Sequence, residues 1–381
     1  MKRVPHQVRA DWQKKVESLG LAWHSAKGAY WNEAAYYSFT MDEVLKLEHA
    51  TNTLHKMCLE AAQHIIDERL FLRLGIPSHV VPLIEAAWEQ EPPSLYGRFD
   101  LAYDGLGPPK LLEYNADTPT SLVEASVVQW FWLKESFPTK DQFNSIHDRL
   151  IEHWKGLQPF LQGERLHFAG MDDIEDGMTL AYLRDTAEQA GLTCDTLTID
   201  QIGITTDGFF TDASDRVIES IFKLYPGEWI VVEDDRFVEA LLQHGTRMQW
   251  IEPIWKMLLS NKGLLAILWE LFPDSPYLLP ATLDIAETLT WDAYVRKPLL
   301  SREGANVTVT MFDQTLMQSQ GDYGEEGYVY QSMASIPKLD DRYPVIGSWI
   351  IGQESAGIGI RESARLITDN LSQFVPHLIE G

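Results

Sequence analysis

Four polar side chains stand at two-residue intervals in two short runs: Arg98 and Asp100 in YGRFDLAY, residues 96–103, and Glu113 and Asn115 in KLLEYN, residues 110–115. Both runs are rich in strand formers, and the turn-prone Asp104-Gly105-Leu106-Gly107-Pro108-Pro109 between them predicts a hairpin. Alternation across a strand puts Arg98, Asp100 and Ala102 on one face and Phe99, Leu101 and Tyr103 on the other. By the same rule Glu113 and Asn115 fall with Leu111, opposite Leu112 and Tyr114. If the polar faces coincide, Asp100, Glu113 and Asn115 offer the oxygen donors that magnesium takes together with phosphate, and the planar fork of Arg98 suits phosphate itself. A solvated sheet face with a cross-strand pair such as Arg98 with Glu113 satisfies the same pattern.

Cationic partners for phosphate come from further along. Lys297 sits in the β-rich run AYVRKPLL on the face of Val295 and Leu299, where a half-buried ammonium requires an anion, either phosphate or a carboxylate. The following Ser301-Arg302-Glu303-Gly304-Ala305-Asn306 is a small loop that could cover phosphates with its amides. Lys262 follows Ser260-Asn261 in a helical run, a setting typical of surface lysines. No GxxxxGK[ST] motif is present, and Gly357-Ile358-Gly359 lacks the third glycine of a dinucleotide fingerprint.

The elements that must hold these residues are readable in outline. Thr40 with Glu43 forms a capping box that opens a long helix over Val44, Leu45, Leu54, Met57, Cys58, Ala61, Ile65 and Leu70. Aromatic Trp23, Tyr30, Trp31, Tyr36, Tyr37 and Phe39 precede it and are expected to pack beneath it, the lining of a substrate cleft being the alternative. Ser121 with Glu124 suggests a second box and an apolar helix over 122–135, its N-terminus toward the hairpin. Thr118, Thr120 and Ser121 are then either caps or contacts for an acidic substrate. From about 165 to 245 the rhythm is β-α-β, and Met171-Asp172-Asp173-Ile174-Glu175-Asp176 follows its first strand. That cluster suits either a helix N-terminus or an ammonium-binding loop, in which Asp173 and Glu175 would be the amine ligands. ITTDGFFT, residues 204–211, predicts a hairpin without chemistry. GYVYQSMASIP predicts a strand around Gln331, and 343–361 a final hairpin ending in Arg361, for which a surface pair with Glu362 is the plain reading.

RFD at 98–100 followed by LLEYNAD at 111–117 resembles the signature of the glutathionylspermidine synthetase family of ATP-grasp ligases. Further similar stretches occur at 251–273, 294–307, 328–331 and 346–363, so the resemblance covers most of the chain from about residue 20. It implies an α+β, circularly connected ATP-grasp fold in which antiparallel sheets clamp ATP. A βαβ-like substrate lobe at about 165–245 and a nucleotide lobe at about 252–365 would lie within one synthetase region over 1–381. By the same resemblance Asp100, Glu113 and Asn115 bind Mg2+, Lys262 and Lys297 hold ATP phosphates, and Gly304 belongs to the covering loop. Gln331 marks the hinge segment against adenine, while Arg98 and Arg361 stabilise the transferring phosphoryl group. The implied reaction is ATP-dependent ligation of an acid to an amine through an acyl phosphate, releasing ADP and phosphate. The amidase domain of bifunctional members is not expected. ADTPTS, residues 116–121, lies in a region tied to the thiol-peptide substrate in those members, so neither glutathione nor spermidine is assigned. An ATP-magnesium-binding regulatory module without turnover is the alternative, and a protein-kinase reading lacks the HRD and DFG patterns.

Composition sets the outer bounds. A formal charge of −25 disfavours nucleic acid, and it suits either a cationic substrate or, as acidic surfaces more often do, solubility. Thirteen tryptophans argue for a dense aromatic core. Cys58 and Cys194 suggest neither a disulfide framework nor a metal site, in keeping with a reduced cytoplasmic setting. The N-terminal stretch has no apolar signal core, and no run is long and apolar enough to cross a bilayer. By the resemblance the expected partners are small-molecule acids and amines, with neither nucleic acid nor membrane, and a homodimer is left open.

Overall fold

The computed structural model describes residues 1–25, 28–233, 235–244, 247–369 and 371–380, which form a mixed α/β fold with several antiparallel sheets. A three-stranded sheet joins β1 (Lys2–Pro5), β2 (Ala35–Thr40) and β19 (His377–Glu380), with β2 in the middle. β3 (Tyr96–Ala102) and β4 (Lys110–Asn115) edge a five-stranded antiparallel sheet completed by β16 (Tyr343–Ile351), β17 (Glu354–Ser363) and β18 (Gln373–Val375), in the order β18-β17-β16-β3-β4. A four-stranded parallel sheet is built from β5 (Leu166–Gly170), β6 (Cys194–Thr198), β9 (Ser220–Leu224) and β10 (Gln249–Ile251), in the order β10-β9-β5-β6. The small hairpin β7 (Gly203–Ile204) and β8 (Phe210–Thr211) lies between its second and third strands in sequence. The remaining strands, β11 (Ala281–Thr282), β12 (Ala293–Pro298), β13 (Thr308–Met311), β14 (Gln314–Gln318) and β15 (Tyr328–Ser332), form an antiparallel sheet ordered β11-β15-β12-β13-β14.

Residues 252–365 are thus divided. β11 to β15 make their own sheet, whereas β16 and β17 pair with the Arg98 hairpin. The β-α-β rhythm expected from about 165 is present as the parallel sheet, its first crossover being the helix Ile174–Gln189. No helix among the described residues is long and apolar enough to cross a membrane.

The long helix Met41–Asp67 forms as its signals require. The Thr40 hydroxyl accepts from the Glu43 amide, and the Glu43 carboxylate accepts from the Thr40 amide. Val44, Leu47, Thr51, Leu54, Cys58, Ala61 and Ile65 recur three or four positions apart and are buried, and this stripe faces β16 and β17. Leu45, expected in the apolar series, is 52% exposed because it falls off that stripe, and Leu70, also expected there, lies past the end of the helix in the 3-10 turn Leu70–Leu74, after Arg69 turns left-handed at φ 53°. The aromatic segment before the helix divides between two cores. Tyr37 and Phe39 pack with the helix, whereas Trp31 stacks on Phe374 in a second core shared with Trp132, Trp154 and Trp349.

The second capping box does not form. Ser121 lies in the left-handed region at φ 67°, and the chain runs through a π-helical turn at Glu124–Val128 before the α-helix Gln129–Ser136. Tyr30 accounts for the difference, since its hydroxyl donates to Glu124 at 2.6 Å and lies 3.0 Å from the Ser121 hydroxyl.

Candidate functional site

The hairpin brings its polar faces together. Arg98 stands opposite Asn115 and Asp100 opposite Glu113, while Phe99 and Tyr114 stack on the reverse face with ring centres 3.8 Å apart. A bulge after Asp100 then inserts Leu112 and pairs Leu111 with Leu101. Leu111 therefore lies on the apolar face with Phe99, Leu101 and Tyr114, not with Glu113 and Asn115 as strict alternation predicts.

Asp100 is the centre of one charge cluster. Arg98 Nε donates to its Oδ1 at 2.6 Å, Arg98 NH2 to Oδ2 at 3.1 Å, and Arg361 NH2 to Oδ2 at 2.8 Å. The cross-strand pair Arg98 with Glu113 is replaced by this closer one along the same strand. Arg98 NH1 also donates to the Thr120 carbonyl, tying the hairpin to the turn before the π-helical segment. Gly347 on β16 faces Asp100, and a Cβ there would come within 2.8 Å of Arg98 Cδ, so glycine leaves the room in which Arg98 lies. The Arg361-Glu362 surface pair does not exist. Adjacent strand residues face opposite sides, and Glu362 is buried with the Arg3 guanidinium and the Tyr37 hydroxyl as donors.

Glu113 is the centre of a second cluster. Lys262 Nζ lies 3.2 Å from Glu113 Oε2 and donates to the Ser301 carbonyl, and Asn115 Nδ2 donates to Glu113 Oε1 at 3.1 Å. Lys262 is buried, contrary to the expectation of a surface lysine, because its backbone amide bonds to Leu299 just beyond β12 and draws the residue under the loop. Lys297 Nζ donates to Leu112 O at 2.7 Å and Gln331 Oε1 at 2.8 Å, and Gln331 Nε2 donates to Leu111 O at 2.9 Å. The bulge thus turns two consecutive carbonyls toward the neighbouring sheet, where a lysine and a glutamine meet them.

Electrostatics follow from this packing. Burial opposes ionisation of Glu113, but Lys262, Lys297 and Asn115 outweigh it and hold its carboxyl well below the usual range. Burial lowers Lys297 to about 8 against the pull of Glu113. With nitrogen committed to Glu113, the oxygen of Asn115 is the atom it can offer a cation. Two carboxylates and an amide oxygen on one ribbon form a hard, all-oxygen donor set of the kind magnesium takes.

The amine candidates separate. Asp173 caps the helix Ile174–Gln189, accepting the Asp176 amide at 3.0 Å, which is the structural alternative for that residue. Glu175 is half-buried, and its carboxyl is raised to about 7 by burial and then by Glu124, Glu303, Asp176 and Asp173. Burial likewise raises Glu124, with Tyr30 and Arg98 acting in the opposite direction. An acidic patch therefore adjoins the Arg98 cluster.

Gly304, at φ 67°, leaves 2.5 Å between a Cβ and Thr368 O, so only glycine fits that turn. Beside it Arg302 donates to Thr118 Oγ1 at 2.8 Å and to Glu228 Oε1 at 2.6 Å, and lies over Trp229. Arg302 was legible only as part of the loop. Also missed was Asp117, whose carboxylate accepts from Lys223 Nζ and the Gly227 amide and pins the end of the hairpin to the parallel sheet.

Comparison with known proteins places this arrangement in a class and then in a family. The fold is that of a glutathione synthetase-like effector from Globodera pallida, with TM-score 0.60, 10% identity and coverage of 97% of this chain and 96% of that one. Residues 3–380 match the family described as "Glutathionylspermidine synthase preATP-grasp", and the chain belongs to that family. It is 40% identical to a Haemophilus influenzae protein named "Putative acid--amine ligase", over 99% of both chains. It is 28% identical to trypanothione synthetase of Crithidia fasciculata and 26% identical to the bifunctional glutathionylspermidine synthetase/amidase of Escherichia coli. Those matches cover 84% and 98% of this chain but 53% and 64% of the relatives.

Proposed function

We propose that this protein is an ATP-dependent acid–amine ligase with an ATP-grasp clamp, joining a small carboxylic acid to an amine and releasing ADP and phosphate. The observation that carries the reading is the meeting of Lys262 and Lys297 with Glu113 beside Asp100, Arg98 and Arg361, all brought together from β3, β4, β12, β17 and the segment at Asn261. Cations and oxygen donors on opposed elements are what a metal-bound polyphosphate requires. Family membership supports the same chemistry, as do the names carried by the relatives.

Asp100, Glu113 and Asn115 would hold Mg2+, which neutralises phosphate charge when bound. Lys262 and Lys297 then bind the nucleotide phosphates, and Arg98 and Arg361 face the phosphoryl group in transfer, where charge spreads over its equatorial oxygens. The substrate carboxylate attacks the γ-phosphorus and ADP leaves. The amine next attacks the resulting acyl phosphate, forming the amide and expelling phosphate. Gly304 and its loop cover this intermediate against water. Gln331, which orients Lys297, sits on the strand proposed to meet adenine. Glu175, beside Glu124 and Glu303, is the proposed seat of the substrate ammonium, and Asp173 serves only to cap its helix.

A panel of acids and amines assayed for ADP release with Mg-ATP tests the reading. Amine-dependent ADP release that is lost in a folded Glu113→Ala variant is the expected result. Turnover retained in that variant, or ATP binding with no turnover across the panel, overturns it, the second outcome favouring a regulatory module.

A further inference from the structure

The parallel sheet carries a second constellation away from the nucleotide-site residues. His167 on β5 and Asp195 on β6 are register partners and so share a face, and Asp212, just past β8, closes over them. One candidate ligand atom from each lies within 4.8 Å of the others. His167 is 2% exposed, yet neither ring nitrogen has a hydrogen-bond partner, and its Nε2 stands 3.5 Å from Asp212 Oδ2. A buried imidazole with both nitrogens unsatisfied is costly and marks a missing partner.

A cation already bridges the two carboxylates. Arg216 NH2 lies 2.7 Å from Asp212 Oδ2 and 2.8 Å from Asp195 Oδ2, and its Nε also donates to Asp212. The Arg216 side chain is half exposed and can swing into solvent, while Asp195 lies at the rim, also held by Arg165 at 3.2 Å. Asp212 stays in place without Arg216's side chain, because the Ser214 and Arg216 backbone amides donate to its Oδ1.

We propose that His167, Asp195 and Asp212 form a binding site for a divalent first-row transition ion of the zinc class, which takes the place of the Arg216 guanidinium. One imidazole nitrogen with two carboxylates is a borderline donor set that suits zinc, cobalt or nickel better than magnesium or calcium, which prefer oxygen throughout. Bonds of about 2.0–2.2 Å require the ligand atoms to draw together, a movement that the rim residue Asp195 supplies. The ion ties β5, β6 and the segment after β8 into one unit, so it stabilises the parallel sheet.

Cobalt titration of the full chain, stripped with chelator and held in excess Mg2+ to fill the oxygen site, tests the assignment by visible absorption and thermal unfolding. One Co2+ per chain with ligand-field bands and a raised Tm is expected. Arg216→Gln, which removes the competing cation, should tighten binding at least tenfold, and Asp195→Asn should weaken it at least tenfold. His167→Gln should abolish the bands. Should that buried variant fail to fold, Asp195→Asn at the rim still decides. Absence of the bands in both the wild type and Arg216→Gln, or bands unchanged by Asp195→Asn, overturns the proposal.

Discussion

Replacing Lys297 with methionine removes one ammonium while nearly keeping its volume. Burial moves this group from 10.5 to about 8 even with the Glu113 carboxylate close by. Holding the charge thus costs the free protein roughly 3 kcal/mol, at about 1.4 kcal/mol per tenfold. A phosphate oxygen beside Nζ returns much of that, since a hydrogen bond to a charged group contributes about 1.5–3 kcal/mol. Lys297→Met should therefore weaken Mg-ATP binding by roughly ten- to a hundredfold. The pH dependence has a definite sign. In the free protein Lys297 is charged below about 8 and neutral above it, so wild-type affinity is complete near neutrality and declines above pH 8. The decline approaches about tenfold per pH unit, because each binding event must then take up a proton. The methionine variant has no such proton, so that decline should be missing across the same window. Titration calorimetry over this range measures both effects, with circular dichroism to show that the fold persists although Leu112 O and Gln331 Oε1 have lost a donor. Equal affinity in the two proteins, or an undiminished decline in the variant, refutes the reasoning.

Two further outcomes follow from neighbouring residues. Glu175 ionises as pH rises through about 7, so the KM for an amine substrate should fall across that value in the wild type and lose that dependence in Glu175→Gln, which steady-state ADP release at several pH values will show. Gly304→Ala places a Cβ against Thr368 O in a left-handed turn and should displace the loop, lowering amide formation relative to ADP release as the acyl phosphate meets water. Product analysis by mass against ADP release measures the ratio, and an unchanged ratio contradicts the covering role.

The hairpin and its polar face were legible because period-two alternation and an Asp-Gly turn are local signals, and the observed register joins Asp100 to Glu113. The bulge was not legible. One inserted residue leaves composition unchanged yet moves Leu111 to the other face and frees the carbonyls that Lys297 and Gln331 use. Long-range partners overrode local rules elsewhere. Tyr30 draws Ser121 and Glu124 away from a capping box, and contact with the loop after β12 buries a lysine whose helical setting reads as surface. Of the acidic cluster at 171–176, sequence alone could not say which carboxylate would cap the helix and which would turn inward, since both outcomes fit the same residues.

The extra residue in β4 also has a mechanical result. Lys297 and Gln331 hang from Leu111 and Leu112 as two clasps between separate five-stranded sheets. Prising the sheets apart means breaking both clasps together, whereas a ligand that coaxes the lysine toward itself undoes one of them at little cost. Leu112 is thereby the stitch that ties the two sheets, and deleting that single leucine should loosen them by taking away the carbonyl to which the Lys297 ammonium donates.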